Sequence, residues 1–105
     1  MENKDAVIRL AALAQETRLA VYRLLVTAGP DGLAVGRIGE ALGVAPATLS
    51  FHLKELAHAG LVTGRQESRF IYYSANYSSM NDLLAFLTDN CCCGVPCGVD
   101  VDSCC

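Results

Sequence analysis

At 105 residues, 52 % of them hydrophobic, the chain is sized for one small domain with a modest core, completed by association with a second copy. No stretch nears the ~18 uninterrupted apolar residues of a membrane span, and Met1-Glu2-Asn3-Lys4-Asp5 lacks the basic and then apolar pattern of an export signal, so a cytoplasmic protein without membrane contact is expected. The net charge of -3 excludes a basic coat, but the charge is uneven. Only residues 33 to 75 are net positive, with Arg37, Lys54, Arg65 and Arg69 against Glu40, Glu55 and Glu67, which predicts moderate, salt-sensitive affinity for DNA.

From the N-terminus, Val7, Leu10, Ala11 and Ala14 recur at helical spacing, and a second helix from Thr17 to Thr27 sets Leu19, Tyr22 and Val26 on one side. Gly29-Pro30-Asp31-Gly32 is a turn signal that ends it. Ala34 to Leu42 carries Val35, Ile38 and Leu42 on one face, and Gly43 follows where a left-handed stop forms most easily. Pro46 suits the first position of the next helix, which runs to about Ala59 before Gly60 closes it. Two helices around a tight turn make a helix-turn-helix.

Angle divides the second of these helices. Leu49, Leu53 and Leu56 fall on one face and form core. Pro46, Ala47, Thr48, Ser50, Phe51 and Lys54 are the candidates for DNA contact, with His58 on the same outer side. Small residues let the backbone approach, Ser50 can bond a phosphate or base edge, Phe51 can meet a thymine methyl, and Lys54 can neutralise a phosphate. An ordinary solvated face would explain the charges but not an exposed Phe51. His52, at the edge of the leucine face, reads as a hydrogen-bonded structural histidine.

Leu61 to Thr63 and Arg69 to Ser74 read as two strands about a turn at Gly64 to Ser68, a hairpin whose Arg65 and Arg69 would touch DNA backbone or minor groove as a wing. A last helix carries Met80, Leu83, Leu84 and Leu87 as an apolar stripe, with Ser78 or Ser79 as its cap.

Thr17-Arg18-Leu19, the run Leu49-Ser50-Phe51-His52-Leu53-Lys54-Glu55-Leu56, then Ala59-Gly60-Leu61-Val62 and the Arg65 to Tyr73 hairpin resemble the ArsR/SmtB family of winged-helix metalloregulatory repressors. The resemblance covers residues 5 to 90. It implies a mainly α fold with a β-hairpin wing, a winged helix-turn-helix dimerised through its first and last helices and reading an imperfect inverted repeat in double-stranded DNA. By position, Pro46, Ala47, Ser50 and Phe51 fall where the family contacts DNA, although the family often has a polar residue at the position of Phe51.

Residues 1–90 thus form the DNA-binding and dimerisation domain, and residues 91–105 a tail holding all six cysteines: Cys91, Cys92, Cys93, Cys97, Cys104 and Cys105. In a reducing cytosol such clusters read more naturally as metal ligands or redox sensors than as a disulfide framework, an alternative that the small size of the chain keeps open. Adjacent helical cysteines diverge by about 100°, so a three-thiolate pocket needs a third sulfur returned by a bend. Gly94 and Pro96 supply the bend, and Cys97 is then in reach. Thiolates without histidine suit a soft centre: trivalent arsenic or antimony on three sulfurs, or zinc or cadmium on four if Cys104 or Cys105 joins.

A Cys-Cys pair at the end of the last helix followed by a third Cys resembles one arsenic-sensing arrangement of the family, which puts As(III) first, with Sb(III) beside it, on Cys91, Cys92 and Cys97. Three successive cysteines leave open whether the pair is Cys91 with Cys92 or Cys92 with Cys93. The expected mechanism is repression by the metal-free dimer and release on arsenite capture, with a coupling of ~1 to 3 kcal/mol. The rivals are a cadmium, lead or zinc sensor of the same fold, a thiol-redox repressor, and a cysteine enzyme or metal buffer. No Lys or Arg follows Arg69 to lower a thiol pKa, which argues against the enzyme.

Overall fold

The computed structural model describes residues 1–89. Five helices and three short strands follow in the order α1 (Asn3–Leu13), α2 (Glu16–Ala28), β1 (Leu33–Ala34), α3 (Val35–Leu42), α4 (Pro46–His58), β2 (Val62–Glu67), β3 (Phe70–Ala75) and α5 (Tyr77–Leu87). The expected helices and hairpin are present. The cysteines, and the proposed division at residue 90, lie outside the described residues.

The helix-turn-helix forms for the reasons its sequence gives. Gly43 ends α3 at φ +65 and ψ +37, the left-handed conformation that costs glycine little, and Pro46 occupies the first turn of α4. Leu49, Leu53 and Leu56 point inward, and with Val21, Leu25, Ile38 and Leu61 they form a core of fully buried side chains. Each such side chain contributes about 1.5–3 kcal/mol of burial.

The helical periods are as expected, but two faces are not. On α2 the buried residues are Val21, Tyr22 and Leu25, whereas Leu19 and Val26 remain exposed. On α1 the core takes Ala6 and Ala12 while Val7, Ile8 and Leu10 stay in solvent. The α5 stripe divides similarly: Leu83 is buried, Leu84 and Leu87 are exposed.

The hairpin corrects the expected turn. Strand β2 continues through Gly64 to Glu67 and pairs antiparallel with β3 from Val62↔Ala75 to Glu67↔Phe70, so the reversal is confined to Ser68 and Arg69. Ser68 sits at φ +60, the positive φ that a two-residue hairpin turn demands at its first central position. Strand β1, too short to register in the sequence, adds to the other edge of β3 through Leu33↔Tyr73 and Ala34↔Tyr72, giving the order β1-β3-β2. Gly32 lets β1 approach: at φ +73, a Cβ there would collide with the Tyr73 carbonyl oxygen.

The cap of α5 is Asn76, not Ser78 or Ser79. The Asn76 side chain accepts from the Ser79 amide at 3.1 Å and donates to the Gly60 carbonyl at 3.1 Å, tying the start of α5 to the end of α4. Ser79 is buried instead, and Arg9 of α1 donates to its carbonyl at 2.8 Å. Among the described residues no helix is long and apolar enough to cross a membrane.

Candidate nucleic-acid interface

Helix α4 turns its leucines inward, which leaves Pro46, Ala47, Thr48, Ser50, Phe51 and Lys54 exposed, all six sequence candidates on this helix. Its N-cap, Ala45, has no side chain able to cap, so the first-turn amides of Ala47 and Thr48 lack a side-chain acceptor. Such amides, at the positive end of a helix dipole, suit a phosphate oxygen.

The wing adds to this surface. A cavity of about 440 Å³ between α3, α4 and β3 is lined by Ser50 and Lys54 from the helix and by Arg69 and Phe70 from the hairpin. Three of the candidates, the Ser50 hydroxyl and the Lys54 cation of α4 and the Arg69 cation 15 to 19 residues later, therefore share one concave site. Their chemistry is that of phosphate binding: two full positive charges and a neutral donor around a space open to solvent.

Arg65 is placed differently from expectation. Its guanidinium donates to the Asp31 carbonyl at 2.8 Å and to Glu67 Oε1 at 3.3 Å, and lies 5.2 Å from the centre of the Tyr72 ring. It fastens the wing to the turn before β1 rather than standing free beside Arg69.

Sequence reasoning missed three contributors. Phe70, at the start of β3 and 59 % exposed, lines the cavity that Lys54 also lines and a second one on the α3 side, lined by Arg37 and Tyr72 as well. Arg37 was visible only as one charge in the positive stretch. Arg18 was visible only as part of a motif, yet it links α1, α2 and α4. Its Nε donates to the Ala12 carbonyl at 2.7 Å, its amide to Gln15 Oε1 at 2.8 Å, and its Nη1 lies 3.4 Å from His52 Nδ1. A guanidinium can only donate, so Nδ1 accepts. His52 is buried, as its place at the leucine edge implied, and its ring meets Phe51 edge-on at 5.6 Å.

Among the described residues, no three His, Cys, Asp or Glu side chains come together to hold a metal ion. The expected metalloid ligands Cys91, Cys92 and Cys97 lie outside the described residues.

Comparison with known proteins agrees with this geometry. A helix-turn-helix domain family model matches residues 13–65, which span α2 to the middle of β2. The uncharacterized HTH-type transcriptional regulator YceK of Bacillus subtilis is 39 % identical over 77 residues, covering 70 % of this chain and 76 % of that protein. A crystal structure described as a possible transcriptional regulator for arsenical resistance superposes with a TM-score of 0.67 at 32 % identity, covering 75 % of this chain and 79 % of the other. The homodimeric winged helix-turn-helix domain of Mb0332 from Mycobacterium bovis, a possible ArsR-family regulator, gives 0.68 at 27 % identity, covering 83 % and 81 %. Relatives and fold alike are those of DNA-binding regulators, not of enzymes. With an exposed reading helix, a cation-bearing wing and these relatives, the chain belongs to the ArsR/SmtB family of winged helix-turn-helix transcriptional regulators.

Proposed function

We propose that this regulator is an arsenite-responsive repressor: a homodimer that binds an imperfect inverted repeat and releases it when As(III), or Sb(III), is captured by Cys91, Cys92 and Cys97. The observation that carries the reading is the confinement of all six cysteines to the last fifteen residues, directly after the helix that bears the exposed Leu84 and Leu87. Thiolates placed there would act on the end of a helix whose Leu84 and Leu87 are exposed, and α1 adds Val7, Ile8 and Leu10 to that inventory of exposed large apolar residues. A second copy covering these side chains would account for their exposure, as the homodimeric state of Mb0332 suggests. The arsenical-resistance relative favours arsenite over other soft ions, while the name of YceK carries no effector.

The site's chemistry supports the DNA half of the mechanism. Ser50, Lys54, Arg69 and the free amides of α4 hold phosphates, and the outer face of α4 enters the major groove. Release requires only that α4 and its twofold mate lose the spacing of one helical turn of DNA.

The test is arsenite titrated into reduced protein on a fluorescent duplex from its own promoter, followed by anisotropy, with cadmium, zinc and peroxide in parallel. Release by arsenite near one equivalent per subunit, lost when Cys91, Cys92 and Cys97 are serine, is the expected result. Release by cadmium or zinc but not arsenite would favour a four-thiolate site using Cys104 or Cys105. Peroxide-driven release insensitive to chelators would make the vicinal cysteines a redox sensor.

A further inference from the structure

Phe51 is 56 % exposed on the outer face of the reading helix, between small and polar neighbours that have every reason to face water. A phenyl ring gains nothing from phosphate, and it stands among residues that all face DNA if α4 is the groove-entering helix. The ring is also supported. It rests edge-on against His52 at 5.6 Å with an interplanar angle of 64°, and His52 is buried and bonded to Arg18, whose Nε is in turn fixed on the Ala12 carbonyl. An apolar side chain backed in this way is suited to a defined apolar target. On the major-groove edges of the four bases, the one such group is the C5 methyl of thymine.

We propose that Phe51 is a specificity-determining residue that reads a thymine methyl group in each half-site of the operator. The proposal deepens the DNA-binding reading of α4 and rests on it. Base identity at that position is then selected by a hydrophobic contact rather than by the bidentate hydrogen bonds that polar side chains make with base edges. Burying one methyl predicts that its removal weakens binding about four-fold per half-site.

Full-length reduced protein is first used to enrich a binding duplex from a randomised DNA pool. Each thymine of that duplex is then replaced by uracil, which removes the methyl and leaves every hydrogen-bonding group in place. The expected result is one thymine per half-site at which uracil weakens the wild-type protein about four-fold, and equal binding of the thymine and uracil duplexes by Phe51→Ala. Because Phe51 is exposed, this variant should melt with the wild type, which separates a defect in reading from a defect in folding. A wild type indifferent to uracil at every position, or a Phe51→Ala variant that retains the penalty, would overturn the proposal while leaving DNA binding intact. Failure to enrich any sequence would overturn the reading of α4, and the role of Phe51 with it.

Discussion

Three cationic side chains stand near the wing, and the structure assigns them different work, which a salt titration separates. Lys54 and Arg69 line the open cavity beside Ser50, whereas Arg65 is held by the Asp31 carbonyl, Glu67 and the Tyr72 ring. Neutralising one phosphate-binding cation should lower the slope of log K against log salt by about 0.9. A four-fold rise in salt, from about 50 to about 200 mM, therefore changes affinity about 3.5-fold less for every such cation neutralised. Lys54→Gln and Arg69→Gln should each show this reduction per subunit, with melting temperatures unchanged, because both side chains are solvated. Arg65→Gln should leave the slope alone and act on stability. Its ion pair is exposed on both sides and contributes little, so the cost is mainly that of one charged hydrogen bond and one cation–ring interaction, which their exposure to solvent reduces to about 1–2 kcal/mol together. That corresponds to roughly 4–16 °C in a domain of this size. Anisotropy across the salt range and thermal denaturation of the same samples supply both readouts. A reduced slope with unchanged melting for Arg65→Gln would refute the clamp, since it would mean that Arg65 leaves Asp31 to reach a phosphate.

Further perturbations test the scaffold. Gly32→Ala should cost more than about 2 kcal/mol, because it combines a positive φ with a Cβ driven into the Tyr73 carbonyl oxygen, and should appear as a large drop in thermal midpoint. Ser68→Gly relieves the positive φ at the wing tip and should stabilise by about 0.5–1 kcal/mol in urea unfolding, with DNA affinity retained. Among the described residues the buried Tyr22 hydroxyl has no hydrogen-bond partner, so Tyr22→Phe should be stabilising by about 1 kcal/mol. Burial, and then the neighbouring Tyr77, raise the Tyr22 pKa above its ordinary 10.0. Above that pH the folded state holds a proton that the unfolded chain has given up, so stability falls as pH rises, and Tyr22→Phe should flatten that fall in denaturant titrations at about pH 9 to 11.

The parts of this fold that were legible in sequence are those where one residue has one physical reason. Gly43, Pro46 and Gly60 mark helix ends, and three leucines at i, i+4 and i+7 leave no doubt about which side of α4 is core. The faces of α1 and α2 were not legible, because both helices are apolar over more than one stripe. Periodicity gives the repeat of about 3.6 but cannot say which of two apolar arcs meets the monomer core, and Val21 and Leu25 compete with Leu19 and Val26 on equal terms. The length of β2 was hidden by Gly64, which looks like a turn residue in isolation. In the sheet it lies opposite Tyr73, whose ring comes within 2.9 Å of where a Cβ would be, so glycine is there to admit the aromatic. The gathering of Ser50, Lys54 and Arg69 was legible only as separate residues, since their meeting depends on how the wing packs against α4.

The placement of α1 constrains how a tail after α5 can act on DNA. Helix α5 is bonded to α1 through Arg9 and the Ser79 carbonyl at 2.8 Å, and the last turn of α1 is bonded to α2 through the Ala12 carbonyl and Arg18 at 2.7 Å. Arg18 then reaches His52 of α4 at 3.4 Å, next to Phe51. A shift of α5 relative to the body thus either breaks a charged hydrogen bond to Ser79 or moves α1, and a moving α1 pulls on Arg18, which reaches α4 at His52. Two charged hydrogen bonds at about 1.5–3 kcal/mol each are of the same order as the roughly 1–3 kcal/mol that typical coupling between sites requires. They are strong enough to transmit such a change and weak enough to be remade afterwards. The same helix carries Val7, Ile8 and Leu10 in solvent, so a dimer contact there would feel the displacement too. Spacing between two reading helices, rather than the local shape of either, is then the quantity an effector at the end of α5 is best placed to change.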